Sequence, residues 1–284
     1  MLTVGSLFSG AGLCDLGLTW AGFEHQWFCE IDPFCRAVLT RHWPDTSIYN
    51  DVSSLKGAEL PPVDVLCGGF PCQDVSSAGA RAGIKQGTRS GLWYEYARLI
   101  KEIRPKYAII ENVRGLLSCG IEIVLQDLAA IGYDAEWEVL PAAALGAPHH
   151  RERVFIVAYP RGRFPDRGHR LLSPLQRDLG DVNQSLQLFD WLGLRIDRAR
   201  KTSALEVYPG PVLCRVDDGS AAGLDGADGH GSGHPHKIGR VDMSTARAWA
   251  PRLKALGNGI TPQQSYAIAA CILQAEGLDV PPMP

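Results

Sequence analysis

The chain has 284 residues, 45% hydrophobic and 21% charged, with 28 Lys and Arg against 31 Asp and Glu and a formal net charge of −3. These are the values of an ordinary soluble globular protein, with length for one large domain or two modest ones. No stretch approaches the ~18 apolar residues of a membrane span, and the N-terminus has neither a basic n-region nor a small-residue cleavage site, so a membrane role is excluded and a cytoplasmic address is expected. The eight cysteines include no C-x2-C pair and sit mostly in apolar runs. They are expected to be buried thiols, with no disulfide framework and no metal site.

The mean charge argues against a nucleic-acid binder, but its distribution does not. Residues 1–148 hold 11 basic against 17 acidic residues, whereas residues 149–201 hold 11 against 6. From 202 to 236 one basic residue faces five acidic ones, and residues 237–284 are again slightly basic. A basic block between acidic ones is either a polyanion-binding surface or a solvated arginine-rich face.

Strands are predicted at residues 2–8, 26–31, 63–70, 107–113, 135–140 and 154–159, each an apolar run ending at turn-forming or polar residues. Helices are predicted between them at 15–21, 33–42, 92–103 and 121–131, the last stopping at Gly132. This alternation implies a parallel sheet covered on both faces, with ligands bound beyond the carboxyl ends of the strands. Residues 160–250 lose this regularity. Within them, 219–237 contains six Gly and three His (His230, His234, His236) and reads as a flexible loop or linker. Helical periodicity returns over 261–275, opened by Thr261-Pro262, which suggests that the chain comes back to pack on the first domain.

Three rim features follow from the strand ends. Leu7-Phe8-Ser9-Gly10-Ala11-Gly12-Leu13 joins the first strand to a helix, where glycines permit a sharp turn and close approach of a ligand. Gly17 lies too far on for the standard dinucleotide fingerprint, so the turn alone does not name a ligand. Glu30, about 20 residues after Gly10, suits ribose hydroxyls and favours a nucleoside-bearing cofactor. Next, the strand over 63–70 runs into Pro71-Cys72-Gln73, which places Cys72 as a nucleophile or as a structural thiol. Glu111-Asn112-Val113 ends the following strand, and neighbouring strands would set Cys72 and Glu111 on one rim. Last, Pro148-His149-His150-Arg151-Glu152-Arg153 leads into the strand over 154–159, with Arg151 and Arg153 two apart and expected to point the same way.

With these motifs in this order, joined by Asp51-Val52, Gly91-Leu92 and Leu256-Gly257-Asn258, the sequence resembles the DNA (cytosine-5) methyltransferases, most closely their short stand-alone bacterial and phage forms. The resemblance spans residues 2–160 and 252–275. It implies an α/β fold with the Rossmann-like sheet of S-adenosylmethionine-dependent methyltransferases and a small irregular target-recognition domain. The catalytic domain would be 1–159 completed by 251–284. The target-recognition region would be 160–250, with its Gly/Asp/His-rich loop at 216–237 and its arginines contacting phosphates.

The same resemblance implies residue roles. Cys72 would add to C6 of a flipped-out cytosine, Glu111 would hold or donate a proton at N3, Arg153 would bind O2, and Arg151 would brace the site or a phosphate. For the cofactor, Phe8, Ser9, Gly10, Ala11, Gly12 and Leu13 would cover the methionine part and adenine, and Glu30 the ribose. Ile31 and Val52 would lie on the adenine faces, Asp51 at its amino group, with Pro71, Leu92, Asn258 and Gly259 completing the pocket. Residues 73–90 read as a loop that closes over the base. Expected partners are double-stranded DNA and a cognate restriction endonuclease, with the enzyme a monomer. Four positions depart from the family's pattern: Leu13 replaces a usual glycine, His149 a usual glutamine, His150 is unusual beside it, and Gly259 stands where Ser or Ala is commoner. A tRNA cytosine methylase and a non-catalytic DNA-binding relative are the alternatives.

Overall fold

The computed structural model describes residues 1–71, 90–147, 149–164, 170–178, 255 and 259–284. Among them seven strands form one sheet: β1 (Thr3–Leu7), β2 (Glu24–Cys29), β3 (Ser47–Tyr49), β4 (Val65–Gly68), β5 (Tyr107–Val113), β6 (Tyr133–Pro141) and β7 (Glu152–Pro160). Their spatial order is β3-β2-β1-β4-β5-β7-β6. The helices are α1 (Leu13–Trp20), α2 (Pro33–His42), α3 (Trp93–Ile103), α4 (Leu116–Cys119), α5 (Ile121–Ala130), α6 (Ser173–Asp178) and α7 (Pro262–Ala275).

Side chains alternate across each central strand into two separate cores. Tyr107, Ile109, Phe155 and Val157 join Leu18 and the residues of α7 on one face. Ala108, Ile110, Val154 and Ile156 join Trp93, Tyr96, Leu99, Val124 and Leu128 on the other. Burial on both faces is why these strands read as continuous apolar runs and not as apolar–polar alternation. The layers are helix, sheet, helix, and the sheet is Rossmann-like, with its switch point between β1 and β4.

One strand departs from the expected parallel arrangement. β1, β2, β3, β4 and β5 pair in parallel, but β7 lies antiparallel between β5 and β6. The cause is the short link from β6 to β7, which has no crossover helix and only the 3-10 turn Ala142–Leu145. Parallel neighbours need a crossover of a dozen or more residues.

The last helix does return to the first domain. Its start is fixed by a capping box in which Thr261 and Gln264 exchange side-chain and backbone bonds, with Pro262 in the first turn. Residues from Gln264 to Leu273 are all buried, so the helix is enclosed on every side and packs closely against α1. A Cβ built at Gly17 would fall 2.0 Å from the Pro262 carbonyl oxygen and 2.2 Å from Ser265 Oγ. Gly17→Ala is therefore expected to destabilise the protein by about 1–3 kcal/mol through overpacking. An unchanged urea midpoint would show that the two helices can move apart at no cost. At the helix's far end Glu276 accepts from Tyr107 Oη at 2.6 Å and pairs with Arg163.

β3, α4 and α6 had no sequence signal, being too short for periodicity to register. Beyond the expected boundary at 160, Leu171, Leu172 and Leu175 are buried in the first core. The Glu136 carboxylate holds them there, accepting from the backbone N–H groups of Leu171 at 2.9 Å and Leu172 at 3.1 Å. The Gly/His-rich stretch over 219–237 and most of 160–250 lie outside the described residues.

Candidate active site

The registers of the parallel strands define a common rim. Leu7 stands opposite Cys29 and Gly68, and Gly68 opposite Ile110. One residue past that line come Phe8, Glu30, Gly69 and Glu111. Because β7 runs the other way, its first residues reach this rim too, and Arg153 sits opposite Val113. An all-parallel sheet would have put the arginines at the opposite end of the molecule.

At the β1 end the chain turns tightly. Phe8, Gly10 and Gly12 have φ of 54°, 56° and 79°, and the Ser9 hydroxyl donates to the Ser6 carbonyl at 3.2 Å. A Cβ built on Gly10 meets no atom within 4 Å among the described residues, so the turn is open to them on that side. The buried Glu30 carboxylate stands against it, accepting from Gly10 N–H on one oxygen and Asp32 N–H on the other, both at 2.7 Å. Glu30 thereby ties the turn to the start of α2, where Asp32 caps Phe34 N–H at 2.9 Å. Ile31, between them, is 72% exposed. Asp51 is exposed and caps the 3-10 turn Val52–Ser54 through Ser53, whose backbone and hydroxyl hydrogen bonds hold its carboxyl below the usual range. Val52 itself is buried in the core, Ala11 and Leu13 lie along the turn, and Pro71 and Leu92 are half-buried.

At the β4 and β5 ends, Glu111 and Arg153 form an ion pair with Nε to Oε1 at 3.0 Å, their side chains 15% and 13% exposed. Phe155 stands opposite Glu111 and Arg153 is two residues from Phe155 on β7, which brings the side chain of Arg153 over the carboxylate. Gly69 makes room for it: a Cβ there would fall 2.3 Å from Glu111 Oε2. Burial pushes the Glu111 carboxyl up from 4.5 to about 7, outweighing the opposing pull of Arg153 and Arg151. The neighbouring Asn112, absent from the expected site, donates to the Phe70 carbonyl at 3.1 Å and accepts from Val113 N–H at 2.9 Å. It anchors the turn that leads into Pro71. Asn112→Ala is expected to cost about 1–3 kcal/mol, the desolvation penalty of a buried partner left unpaired. An unchanged unfolding midpoint in urea would show that this amide does not hold the turn.

The arginine pair does not point one way. Arg151 has φ of 30°, which breaks the extended geometry that parallel side chains require. Its guanidinium donates to the Gly259 carbonyl, while Arg153 takes Glu111. Burial is the main cause that lowers the Arg151 pKa, followed by Arg153. Gln264 also belongs to this site. Its Nε2 donates to the Leu140 carbonyl at 2.6 Å and the Arg151 carbonyl at 3.1 Å. The T-x-x-Q capping signature from Thr261 to Gln264 was the signal that could have singled it out. Cys72, the loop over 73–89 and Asn258 lie outside the described residues.

Comparison with known proteins accords with this geometry. The family model for the C-5 cytosine-specific DNA methylase matches residues 2–186. The type II methyltransferase M2.BsuMI of Bacillus subtilis is 37% identical over 165 residues, covering 55% of this chain and 42% of the relative. The orphan methyltransferase M.Rho11sI of Bacillus phage rho11s is 31% identical over 222 residues, covering 73% and 44%. The type II methyltransferase M.AquIA of Picosynechococcus is 36% identical over 188 residues, covering 58% and 75%. The match thus spans less than half of the first two relatives and three quarters of the third. With the family model matched over residues 2–186, the chain belongs to the C-5 cytosine-specific DNA methylase family.

Proposed function

We propose that this chain transfers a methyl group from S-adenosyl-L-methionine to C5 of a flipped-out cytosine in a specific double-stranded DNA sequence, through a covalent bond between Cys72 and C6. The observation that supports this most is the Glu111–Arg153 pair at 3.0 Å, at the rim where the Phe70-Pro71 turn leads into Cys72. A buried acid raised to about 7 beside a guanidinium fits the N3 and O2 edge of cytosine. Glu111 offers a proton to N3 and Arg153 donates to O2.

C5 of cytosine is a poor nucleophile until the ring is saturated at C6. Cys72 adds there as thiolate, and the ring electrons move toward N3 and C5. Glu111 supplies the N3 proton that stabilises the resulting enamine, and Arg153 bears on O2 as charge develops there. Arg151, held through its guanidinium by Gly259 and through its carbonyl by Gln264, braces the strand entrance that presents Arg153. Elimination of Cys72 after the C5 proton is lost restores the aromatic ring.

The turn over residues 8–13 fits the proposed cofactor. Its face is open at Gly10, the Glu30 carboxylate lies against it, and exposed Ile31 provides an apolar surface for a flat ring. Each Glu30 oxygen accepts one backbone bond and a carboxylate oxygen accommodates two, which leaves capacity for ribose hydroxyls. Asp51, Val52, Pro71, Leu92, Asn258 and Gly259 would line the rest. When bound, the cofactor supplies an electrophilic methyl group on a sulfonium.

Residues 160–250 are the proposed target-recognition region, its arginines between 161 and 200 with Lys201 the phosphate contacts, and a restriction endonuclease of the same specificity the expected partner. Purified protein, tritiated S-adenosylmethionine and duplex DNA test the activity. Label in duplex cytosine and none in tRNA is the expected result. Label confined to tRNA, or no transfer at all, would overturn it.

A further inference from the structure

Gly259 is where the two halves of the site touch. A methyl group built on its α-carbon falls 2.3 Å from Leu13 Cδ1, with Leu13 Cγ and Cβ at 3.3 and 3.4 Å. The first side chain of α1 therefore occupies the place that a side chain at 259 would need. The Gly259 carbonyl accepts from the Arg151 guanidinium, and its N–H donates to the Ala255 carbonyl at 3.2 Å. A few residues on, Gln264 grips the Arg151 carbonyl, and Ser265 Oγ donates to the Cys14 carbonyl at 2.8 Å. The entrance to α7 thus holds the glycine turn on one side and the arginine strand on the other.

We propose that Gly259 is a positioning residue joining the cofactor turn to Arg151, with Leu13 the side chain matched to its missing Cβ. The inference rests on the reading of residues 8–13 as the cofactor turn. A large residue on α1 is answered by a glycine on the facing segment. A contact of 2.3 Å has to be relieved by displacing Leu13 Cδ1, the far end of a half-buried side chain, and Leu13 Cγ and Cβ at 3.3 and 3.4 Å are the next atoms met. A side chain at 259 pushes on the turn at Leu13 and, through its own displaced carbonyl, on Arg151.

The test is a double-mutant cycle on the full chain, reading S-adenosylmethionine affinity by titration calorimetry and turnover with duplex DNA. Gly259→Ala is expected to weaken cofactor binding about ten-fold and to lower turnover with it. In the Leu13→Ala background the same substitution is expected to change either quantity by less than about two-fold, because the obstructing methyl group is gone. Equal losses in both backgrounds, or no loss when Leu13 is present, would overturn the pairing. Should Gly259→Ala alone be insoluble, recovery of soluble, cofactor-binding protein in the double variant supports the proposal, and failure to recover overturns it. Absence of binding by the unsubstituted chain would refute the cofactor reading instead, so the two failures are distinguishable.

Discussion

Cys72→Ala is expected to reduce methyl transfer to duplex DNA by at least about 10⁴-fold, the scale on which removal of a covalent nucleophile acts. The substitution deletes one sulfur atom and leaves in place the described residues that shape the rim. Asn112 still holds the Phe70 carbonyl, Glu111 still meets Arg153, and the glycine turn is unaffected. DNA and cofactor binding are therefore expected to persist while chemistry stops. The check is a single-turnover assay beside a binding titration. Loss of binding together with activity would mean that Cys72 holds the site together, and residual activity within ten-fold of the unsubstituted chain would mean that another group attacks C6.

Glu111→Gln is expected to lower turnover by about 10²–10⁴-fold, the contribution of a positioned general acid. It also makes a prediction about pH. Burial raises the Glu111 carboxyl to about 7, and in the proposed mechanism the protonated form serves N3. Turnover is expected to fall as pH rises through that value, and Glu111→Gln is expected to lose this limb. Stability should follow the same proton. The raised acid binds more protons folded than unfolded, so its contribution is complete below the unfolded value of about 4.3 and is lost as pH rises through about 7. The amount at stake is roughly 3 kcal/mol for a shift of this size. Chemical denaturation at several pH values reads it directly. A pH profile of turnover unchanged by Glu111→Gln would remove this residue from proton transfer.

Most of the long elements were legible in the sequence because each carries a length of apolar pattern that only one period fits. β5 and α2 match their expected bounds, 107–113 and 33–42, to the residue. The hand of β7 was not legible, since an apolar run buried on both faces looks the same in either direction. That single reversal decides the site, because it carries Arg151 and Arg153 to the rim occupied by Glu30 and Glu111. The divergence of the two arginines was also hidden. It depends on the φ of 30° at Arg151, which is imposed from more than a hundred residues away by Gly259 and Gln264. The places of Glu111 and Glu30 at the strand ends were legible because each closes an apolar run. The role of Asn112 was hidden within the same motif, since its partner, the Phe70 carbonyl, is a backbone group that sequence does not mark.

The central claim, methylation of cytosine at C5 in DNA, is tested most directly by bisulfite or nanopore sequencing of DNA from methylation-deficient cells that express the chain. The expected result is 5-methylcytosine at one recurrent short sequence, absent from cells expressing Cys72→Ala. Unmethylated DNA in cells that contain the folded protein would contradict it.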